Sequence, residues 1–126
     1  MKITENFNLE EFSCNCGCKM PDFVESNIKE LAENLQLLRD IIGQINLTNA
    51  YRCEKHNAKV GGSVKSQHLV GKAADVQSKI FNPAQISLIV TNLMDAKLFD
   101  LGGVGLYNTF THVDIRGTEA RWDNSN

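Results

Sequence analysis

The sequence has no long apolar run and no excess of positive charge. Its apolar stretches are only a few residues long, far short of the roughly 20 that a membrane-spanning helix needs. The formal net charge is -2, so the chain lacks the clustered lysine and arginine that non-specific nucleic-acid binding requires. We therefore expect neither a membrane nor a nucleic acid among the partners of this protein.

The N-terminal segment also lacks the character of an export signal. Residues 1–12, MKITENFNLEEF, carry acidic side chains where a signal peptide has its apolar region. We therefore expect the protein to be cytoplasmic when it is made.

The chain contains few features that would divide it. It has 126 residues, 42% of them hydrophobic and 22% charged, which is ordinary for one soluble domain with its own core. No repeat, low-complexity tract or linker interrupts the sequence. We predict a single domain over residues 1–126, and a monomer is the default expectation.

Apolar residues recur at helical spacing in two segments. In the first they are Ile28, Leu31, Leu35, Leu38 and Ile42. This spacing predicts a helix over residues 24–42, ended by Gly43. Asn82 and Pro83 are typical of a helix start, and the buried face of this second helix would be Ile86, Ile89, Val90, Leu93 and Met94.

Shorter apolar segments predict strands at residues 45–50, 73–77, 104–107 and 111–115, the last two joined as a hairpin. A short helix is expected at residues 52–60, before Gly61 and Gly62. The resulting order of elements predicts an α+β fold, with two longer helices packed on a small, mainly antiparallel sheet.

Four cysteines are present, and three of them stand in one C-x-C-x-C run: Cys14, Cys16 and Cys18, with Cys53 farther along the chain. A structural zinc site would suit such a cluster of thiolates. One or two disulfides, or free thiols in a buried turn, are equally compatible with the spacing.

Histidine is also scarce, with only His56, His68 and His112. His68 is followed seven residues later by Asp75, which interrupts the apolar segment AADV, and a buried carboxylate is unfavourable there unless something compensates it. A metal ion would do so. The alternatives are a hydrogen-bonded core histidine and an ordinary histidine–carboxylate pair.

His112 likewise interrupts a predicted strand, and Asp114 would project from the same face two residues on. Two imidazoles and the Asp75 carboxylate would make a three-ligand zinc site with one position open, the arrangement of catalytic rather than structural zinc. Such a metal activates water and polarises a peptide carbonyl.

The segment SQHLVGKAAD matches the S-x-H-x-x-G-x-A-x-D signature of the zinc D-Ala-D-Ala carboxypeptidase-like peptidases, and the chain resembles that family along nearly its whole length. The segments NFNLEEFSCNCGC, AYRCEKHNAKVGGSVKSQH and GGVGLYNTFTHVDIRGTEARW are similar to its short, single-domain branch, which is common in phages. The resemblance implies a hedgehog/D-Ala-D-Ala-peptidase-like fold.

Carried over by position, the resemblance implies that His68, Asp75 and His112 bind Zn²⁺. Arg52 matches an arginine that grips a substrate carboxylate or carbonyl, as a planar guanidinium can; a surface salt bridge is its other interpretation. Ser66 stands at the serine of the signature and is expected to assist substrate binding. Gln67 is either a substrate contact or a structural residue.

One position departs from the wider family. Many members carry an acidic general base three residues before the second histidine, where this chain has Thr109. Asp114 is then the candidate general acid/base, together with Arg52 as a catalytic residue. The alternative role of Asp114 is to accept a hydrogen bond from a metal ligand and fix that ligand's orientation.

The resemblance implies a zinc metallopeptidase acting on bacterial peptidoglycan, either as a D-Ala-D-Ala carboxypeptidase or as an endopeptidase of the stem peptide or cross-link. The alternative is a catalytically inactive, zinc-containing module that binds the cell wall. The expected partner is the peptidoglycan stem peptide. A phage endolysin of this kind would reach the wall after release through a holin.

Overall fold

The computed structural model describes all residues from 1 to 126 as an α+β fold, which confirms the predicted class. Three helices and five strands make up the fold: α1 (Asp22–Ile42), β1 (Ile45–Asn49), α2 (Glu54–Lys59), β2 (Ala73–Ser78), α3 (Pro83–Asp95), β3 (Gly103–Leu106), β4 (Thr111–Asp114) and β5 (Ala120–Asp123). Short 3-10 turns occupy Leu9–Phe12 and Gln67–Val70. None of the helices combines the length and the apolar character needed to cross a bilayer.

The two longer helices bury the faces that the sequence predicted. All five periodic positions of α1 are buried. In α3 the side chain of Asn82 accepts a hydrogen bond from the backbone N–H of Gln85, and Pro83 follows as the first helical residue. Ile86, Val90 and Met94 are buried on this helix, while Ile89 and Leu93 are partly buried against the same core.

The sheet has the strand order β1-β2-β4-β3-β5. The pairs β1–β2, β2–β4 and β3–β4 are antiparallel, so the predicted hairpin of β3 and β4 is confirmed. The edge strand β5 pairs with β3 in parallel, and the sequence did not indicate this strand. The sheet is therefore mainly antiparallel, as expected.

Alternation along the strands separates a core face from an open face. Ala74, Val113 and Val104 pair side by side on β2, β4 and β3, and all three belong to the hydrophobic core shared with α1 and α3. The residues on either side of these three along each strand must point away from that core. This alternation places Asp75 and His112 side by side on the open face.

Candidate metal centre and substrate cleft

His68 lies on the 3-10 turn Gln67–Val70, just before β2. The backbone N–H of His68 donates to the hydroxyl of Ser66 at 3.2 Å, which starts the turn. Its ring Nδ1 lies 2.6 Å from the carbonyl oxygen of Ala50. Because a carbonyl only accepts, Nδ1 must carry the proton in the neutral ring, and Nε2 is left with a free lone pair. The ring is therefore fixed with Nε2 toward Asp75.

The structure shows why the signature has a glycine at position 71. It ends the turn with a φ of +76°, in the left-handed region that favours glycine. A Cβ at this position would lie 2.8 Å from Cγ1 of Val24 and 2.9 Å from its carbonyl oxygen. Only glycine therefore lets the turn that carries His68 pack directly against α1.

Asp75 and His112 face each other across β2 and β4 as register partners. Oδ1 of Asp75 lies 3.3 Å from Nε2 of His68 and 3.4 Å from Nδ1 of His112. All three side chains are buried. The fold thus brings together the three residues that the sequence proposed as metal ligands, from one turn and two neighbouring strands.

The donor atoms of this cluster fit a metal ion. One ligand atom from each of His68, Asp75 and His112 lies within 4.8 Å of the others. Oδ1 of Asp75 is buried and has no hydrogen-bond partner, which is unfavourable unless another group occupies the space between the three side chains. Two imidazole nitrogens and one carboxylate oxygen are the ligand set of catalytic zinc.

The electrostatics of Asp75 favour the ionised form that binds metal. Burial alone raises the pKa of this carboxyl group, but its polar contacts with His112 and His68 lower the pKa by more, to about 2. Asp75 is therefore a carboxylate at neutral pH, and it contributes the only negative charge among the three ligands.

The orientation of His112 depends on Asp114, two residues along β4. Nε2 of His112 lies 2.7 Å from Oδ2 of Asp114, which is fully buried. The guanidinium of Arg116 donates to both oxygens of Asp114, at 2.9 and 2.7 Å, and the N–H of Gly103 donates to Oδ1 at 2.8 Å. Burial raises the pKa of Asp114, but the hydrogen bonds of His112 and Arg116 lower it well below its usual range.

These contacts favour one of the two roles that the sequence left open for Asp114. An ionised Asp114 accepts the Nε2 proton of His112, so that Nδ1 presents its lone pair to the metal cluster. Both oxygens of Asp114 already accept hydrogen bonds, and no part of the side chain is exposed. This geometry favours the positioning role of Asp114 over that of a base facing solvent.

An open cleft of about 510 Å³ lies over the cluster, and Arg52, Ser66 and Gln67 all line it. The backbone N–H of Arg52 donates to the carbonyl of His68 at 3.0 Å, and its guanidinium NH2 donates to the hydroxyl of Ser66 at 3.3 Å. Its Nε is buried without a hydrogen-bond partner. Arg52 makes no salt bridge in the structure, so its charge is directed to the cleft.

The far wall of the cleft is aromatic. Tyr107 and Phe110 stack with their ring centres 4.4 Å apart, and Nε1 of Trp122 donates to the hydroxyl of Tyr107 at 3.0 Å. The Trp122 ring lies 4.9 Å from the ring of His112. Both Tyr107 and Trp122 line the cleft.

Two glycines of β3 clear space for this arrangement, and sequence reasoning missed their part. Gly105 pairs with His112 on one side and with Trp122 on the other, and a Cβ there would lie 2.3 Å from the indole. A Cβ at Gly103 would lie 2.4 Å from Oδ2 of Asp114. The G-x-G of β3, opposite the H-x-D of β4, was the signal that could have revealed it.

Arg116 was also not identified from the sequence, although it stands only two residues after the H-V-D segment. His56 has no part in the site: it is half-buried on α2 and does not line the cleft. Thr109 does not line the cleft either, and its backbone carbonyl accepts a hydrogen bond from Gln77. Asp75 is the only acidic residue that lines the cleft.

A buried His–Asp–His cluster on the floor of an open cleft is an arrangement typical of mononuclear zinc hydrolases. The model of the Peptidase M15 family matches residues 5–114, a span that includes all three candidate ligands, Arg52 and Asp114. The chain therefore belongs to the Peptidase M15 family, whose members are zinc D-Ala-D-Ala carboxypeptidase-like peptidases. The comparison with curated proteins found no match.

Proposed function

We propose that this protein is a zinc peptidase that hydrolyses peptide bonds of the peptidoglycan stem peptide. The proposal covers two cleavages, removal of a terminal D-alanine and cutting within the stem peptide or its cross-link. One observation carries it: the partnerless Oδ1 of Asp75 lies between His68 and His112 beneath an open cleft. Membership in the Peptidase M15 family supports the same chemistry and the same class of substrate.

His68, Asp75 and His112 would hold the zinc ion, which when bound would activate water and polarise the scissile carbonyl. The protein prepares its ligands beforehand. The Ala50 carbonyl fixes the ring of His68, and Asp114 fixes the ring of His112. Each ring thus presents the nitrogen that faces Asp75, so little reorganisation is needed when the metal binds.

Arg52 would bind a carboxylate of the substrate. Its guanidinium lines the cleft without an acidic partner, and Lys65 adds a second positive charge to the same lining. Ser66 holds one NH2 group of Arg52, which orients the guanidinium and leaves its other donors for a two-point contact. This contact would place the scissile bond over the three metal ligands.

Proton transfer requires a group other than Asp114, because that carboxylate is fully buried and already accepts several hydrogen bonds. Tyr107, which lines the cleft, is our candidate. Its hydroxyl oxygen accepts a hydrogen bond from Trp122, so its own proton is free to be donated to the leaving amine. The Tyr107 phenolate left behind would take up the proton that the attacking water releases, which restores the hydroxyl.

A second candidate function follows from the same scarcity of acids. The cleft contains no carboxylate apart from the ligand Asp75, and Thr109 stands where many relatives of the wider family carry a base. A zinc-containing module that binds the cell wall without cutting it would have this composition. It differs from the peptidase in one measurable respect, the release of new amino groups from peptidoglycan.

The test compares wild type with His68→Ala on purified peptidoglycan and on a peptide that ends in D-Ala-D-Ala. His56→Ala is the matched control, since it removes a histidine that lies outside the cleft. We expect products from wild type and His56→Ala and none from His68→Ala. Mass spectrometry of the products identifies the bond: free D-alanine indicates a carboxypeptidase, and larger fragments indicate an endopeptidase.

Wall binding without any new amino group in wild type loaded with zinc would overturn the peptidase and support the binding module. Equal hydrolysis by wild type and His68→Ala would show that the cluster is not the active site. The four cysteines lie outside the lining of the cleft, so neither variant changes them.

A further inference from the structure

The four cysteines of the chain converge at one place, away from the His–Asp–His cluster. Cys14, Cys16 and Cys18 come from the loop before α1, and Cys53 stands directly before α2. Sγ of Cys14 lies 3.3 Å from that of Cys16 and 3.9 Å from that of Cys53, and the sulfurs of Cys16 and Cys53 are 3.7 Å apart. One ligand atom from each of the four lies within 4.8 Å of all the others.

These separations match a single tetrahedral metal ion. With zinc–sulfur bonds of about 2.3 Å, neighbouring sulfurs of a tetrahedron lie roughly 3.8 Å apart. A disulfide requires about 2.05 Å, and all four cysteines are free in the structure. All four sulfurs are neighbours of one another, whereas two disulfides would group them in pairs.

The backbone around the cluster is built to hold this arrangement. Gly17 has a φ of +83° and its N–H donates to the carbonyl of Cys14 at 2.9 Å, which turns the loop so that the thiols of Cys16 and Cys18 face the same point. The side chain of Asn15 donates to the carbonyl of Thr48 at 3.1 Å, which ties this loop to β1.

Cys53 is held from the other side. Its Sγ accepts a hydrogen bond from the backbone N–H of His56 at 3.4 Å, which fixes the position of the sulfur. The backbone N–H of Tyr51 donates to the carbonyl of Phe12 at 3.0 Å, so the two segments that carry the cysteines are already joined beside the cluster.

We propose that Cys14, Cys16, Cys18 and Cys53 bind a second zinc ion with a structural role. Four thiolates fill all positions of a tetrahedral ion, so this site is closed to water and substrate, unlike the three-ligand cluster in the cleft. Each thiol gives up its proton when it binds the metal. The softness of four sulfurs and the tetrahedral geometry favour zinc over calcium, magnesium or manganese.

The position of the site defines its purpose. Cys53 follows Arg52, the residue proposed to bind the substrate carboxylate, and the other three cysteines belong to the N-terminal loop. The ion would therefore fasten that loop to the start of α2 and fix the backbone at Arg52. Loss of this zinc is expected to destabilise the fold and to weaken substrate binding, while the His–Asp–His cluster keeps its own ligands.

The experiment counts zinc in the full-length protein and identifies the ligands by X-ray absorption. We expect two zinc ions per chain in wild type and one in His68→Ala. The zinc in His68→Ala should be surrounded by sulfur alone, at about 2.3 Å, with no contribution at the shorter distances of nitrogen and oxygen ligands. Cobalt substitution of the same variant should give the intense absorption bands of a tetrahedral cobalt thiolate.

A second variant tests the site without touching the cleft. Cys16→Ser should lower the zinc content by one and increase the reactivity of the remaining thiols, and Ser13→Ala is the matched control on the same loop. Wild type itself answers the question if Cys16→Ser does not fold, because its four thiols should resist alkylation until a chelator removes the metal.

Three results would overturn this site: His68→Ala without zinc, a mass that shows disulfides in protein purified under reducing conditions, or iron in place of zinc. None of them bears on the peptidase. One zinc per wild-type chain without sulfur ligands would remove the second site and leave the proposed function standing. Wild type that binds both zinc ions but hydrolyses nothing would overturn the proposed function and leave the second site standing.

Discussion

Nε2 of His112 lies 2.7 Å from Oδ2 of the fully buried Asp114, and this contact decides which ring nitrogen of His112 faces the metal cluster. Since Asp114 is ionised and accepts a hydrogen bond from Nε2, Nδ1 is left with its lone pair facing Asp75. Arg116 holds both oxygens of Asp114 in turn. The series of contacts from Arg116 to Asp114 to His112 therefore orients one of the three proposed metal ligands, using β4 and the short segment that follows it.

Asp114→Asn should weaken zinc binding in the cleft roughly 10- to 100-fold, the usual effect of losing a group that orients a metal ligand. If the amide oxygen of the new asparagine accepts the hydrogen bond of His112, its NH2 group must face Arg116. The amide NH2 and the Arg116 guanidinium are both donors, so they cannot pair. Competition with a chelator measures the affinity, and Asp95→Asn, an exposed aspartate at the end of α3, is the control.

The same variant separates the two roles of Asp114. If Asp114 is a positioning residue, Asp114→Asn should keep most of its hydrolysis once zinc is supplied in excess. Unchanged zinc affinity combined with complete loss of hydrolysis would instead establish Asp114 as the general acid/base.

Arg52→Ala should raise KM roughly 10- to 100-fold for a peptide that ends in a free carboxylate, because a hydrogen-bonded pair of charges is lost. Steady-state kinetics on that peptide and on its C-terminal amide test the contact. If the guanidinium binds the carboxylate, wild type should lose affinity for the amide to the same extent, and Arg52→Ala should not distinguish the two peptides.

Arg39→Ala, on α1 and outside the cleft, is the control for this comparison. An equal loss for both peptides in Arg52→Ala would mean that Arg52 supports the cleft without touching the carboxylate.

Tyr107→Phe should lower kcat roughly 100-fold, the contribution of a positioned proton donor, and should change KM little. The substitution removes only the hydroxyl, so the stacking with Phe110 remains. The measurement is kcat with zinc content determined on the same sample. A kcat within twofold of wild type would exclude Tyr107 as the donor and assign proton transfer to another group.

Gly105→Ala should displace Trp122, because the new Cβ would lie 2.3 Å from the indole. We expect a roughly 10- to 100-fold loss of hydrolysis from the displaced wall, with zinc content unchanged. Trp122 is the only tryptophan of the chain, so its fluorescence reports the displacement directly.

Relief of the clash is the control. In Gly105→Ala/Trp122→Leu the added methyl group has room, so the second substitution should cost less in the Gly105→Ala background than in wild type. Strict additivity of the two changes would show that Gly105 and Trp122 do not interact.

Much of this architecture was predictable because short-range signals specify it. The apolar periodicity of α1 and the Asn82–Pro83 start of α3 are local features, and both predictions were confirmed. The signature around His68 also has a local cause, since Gly71 ends the turn in the left-handed conformation that favours glycine. Alternation on β4 placed His112 and Asp114 on one face, as the register shows.

What escaped prediction depends on contacts between distant segments. β5 is a four-residue edge strand in which Arg121 and Asp123 are exposed, so it carries little apolar signal of its own. The position of β5 depends on the glycines of β3, because their lack of a side chain leaves room for Trp122 beside His112. The role of Asp114 stayed open for the same reason, because only the folded chain shows that Arg116 and Gly103 use both of its oxygens.

The measurement that tests the peptidase most directly is the release of amino groups from purified peptidoglycan by metal-free protein titrated with zinc. We predict that hydrolysis by wild type appears as zinc is added and that His68→Ala stays inactive at every zinc concentration. His56→Ala should follow wild type. Wild type that binds zinc at the His–Asp–His cluster and still releases nothing from peptidoglycan or from the D-Ala-D-Ala peptide would contradict the proposed function.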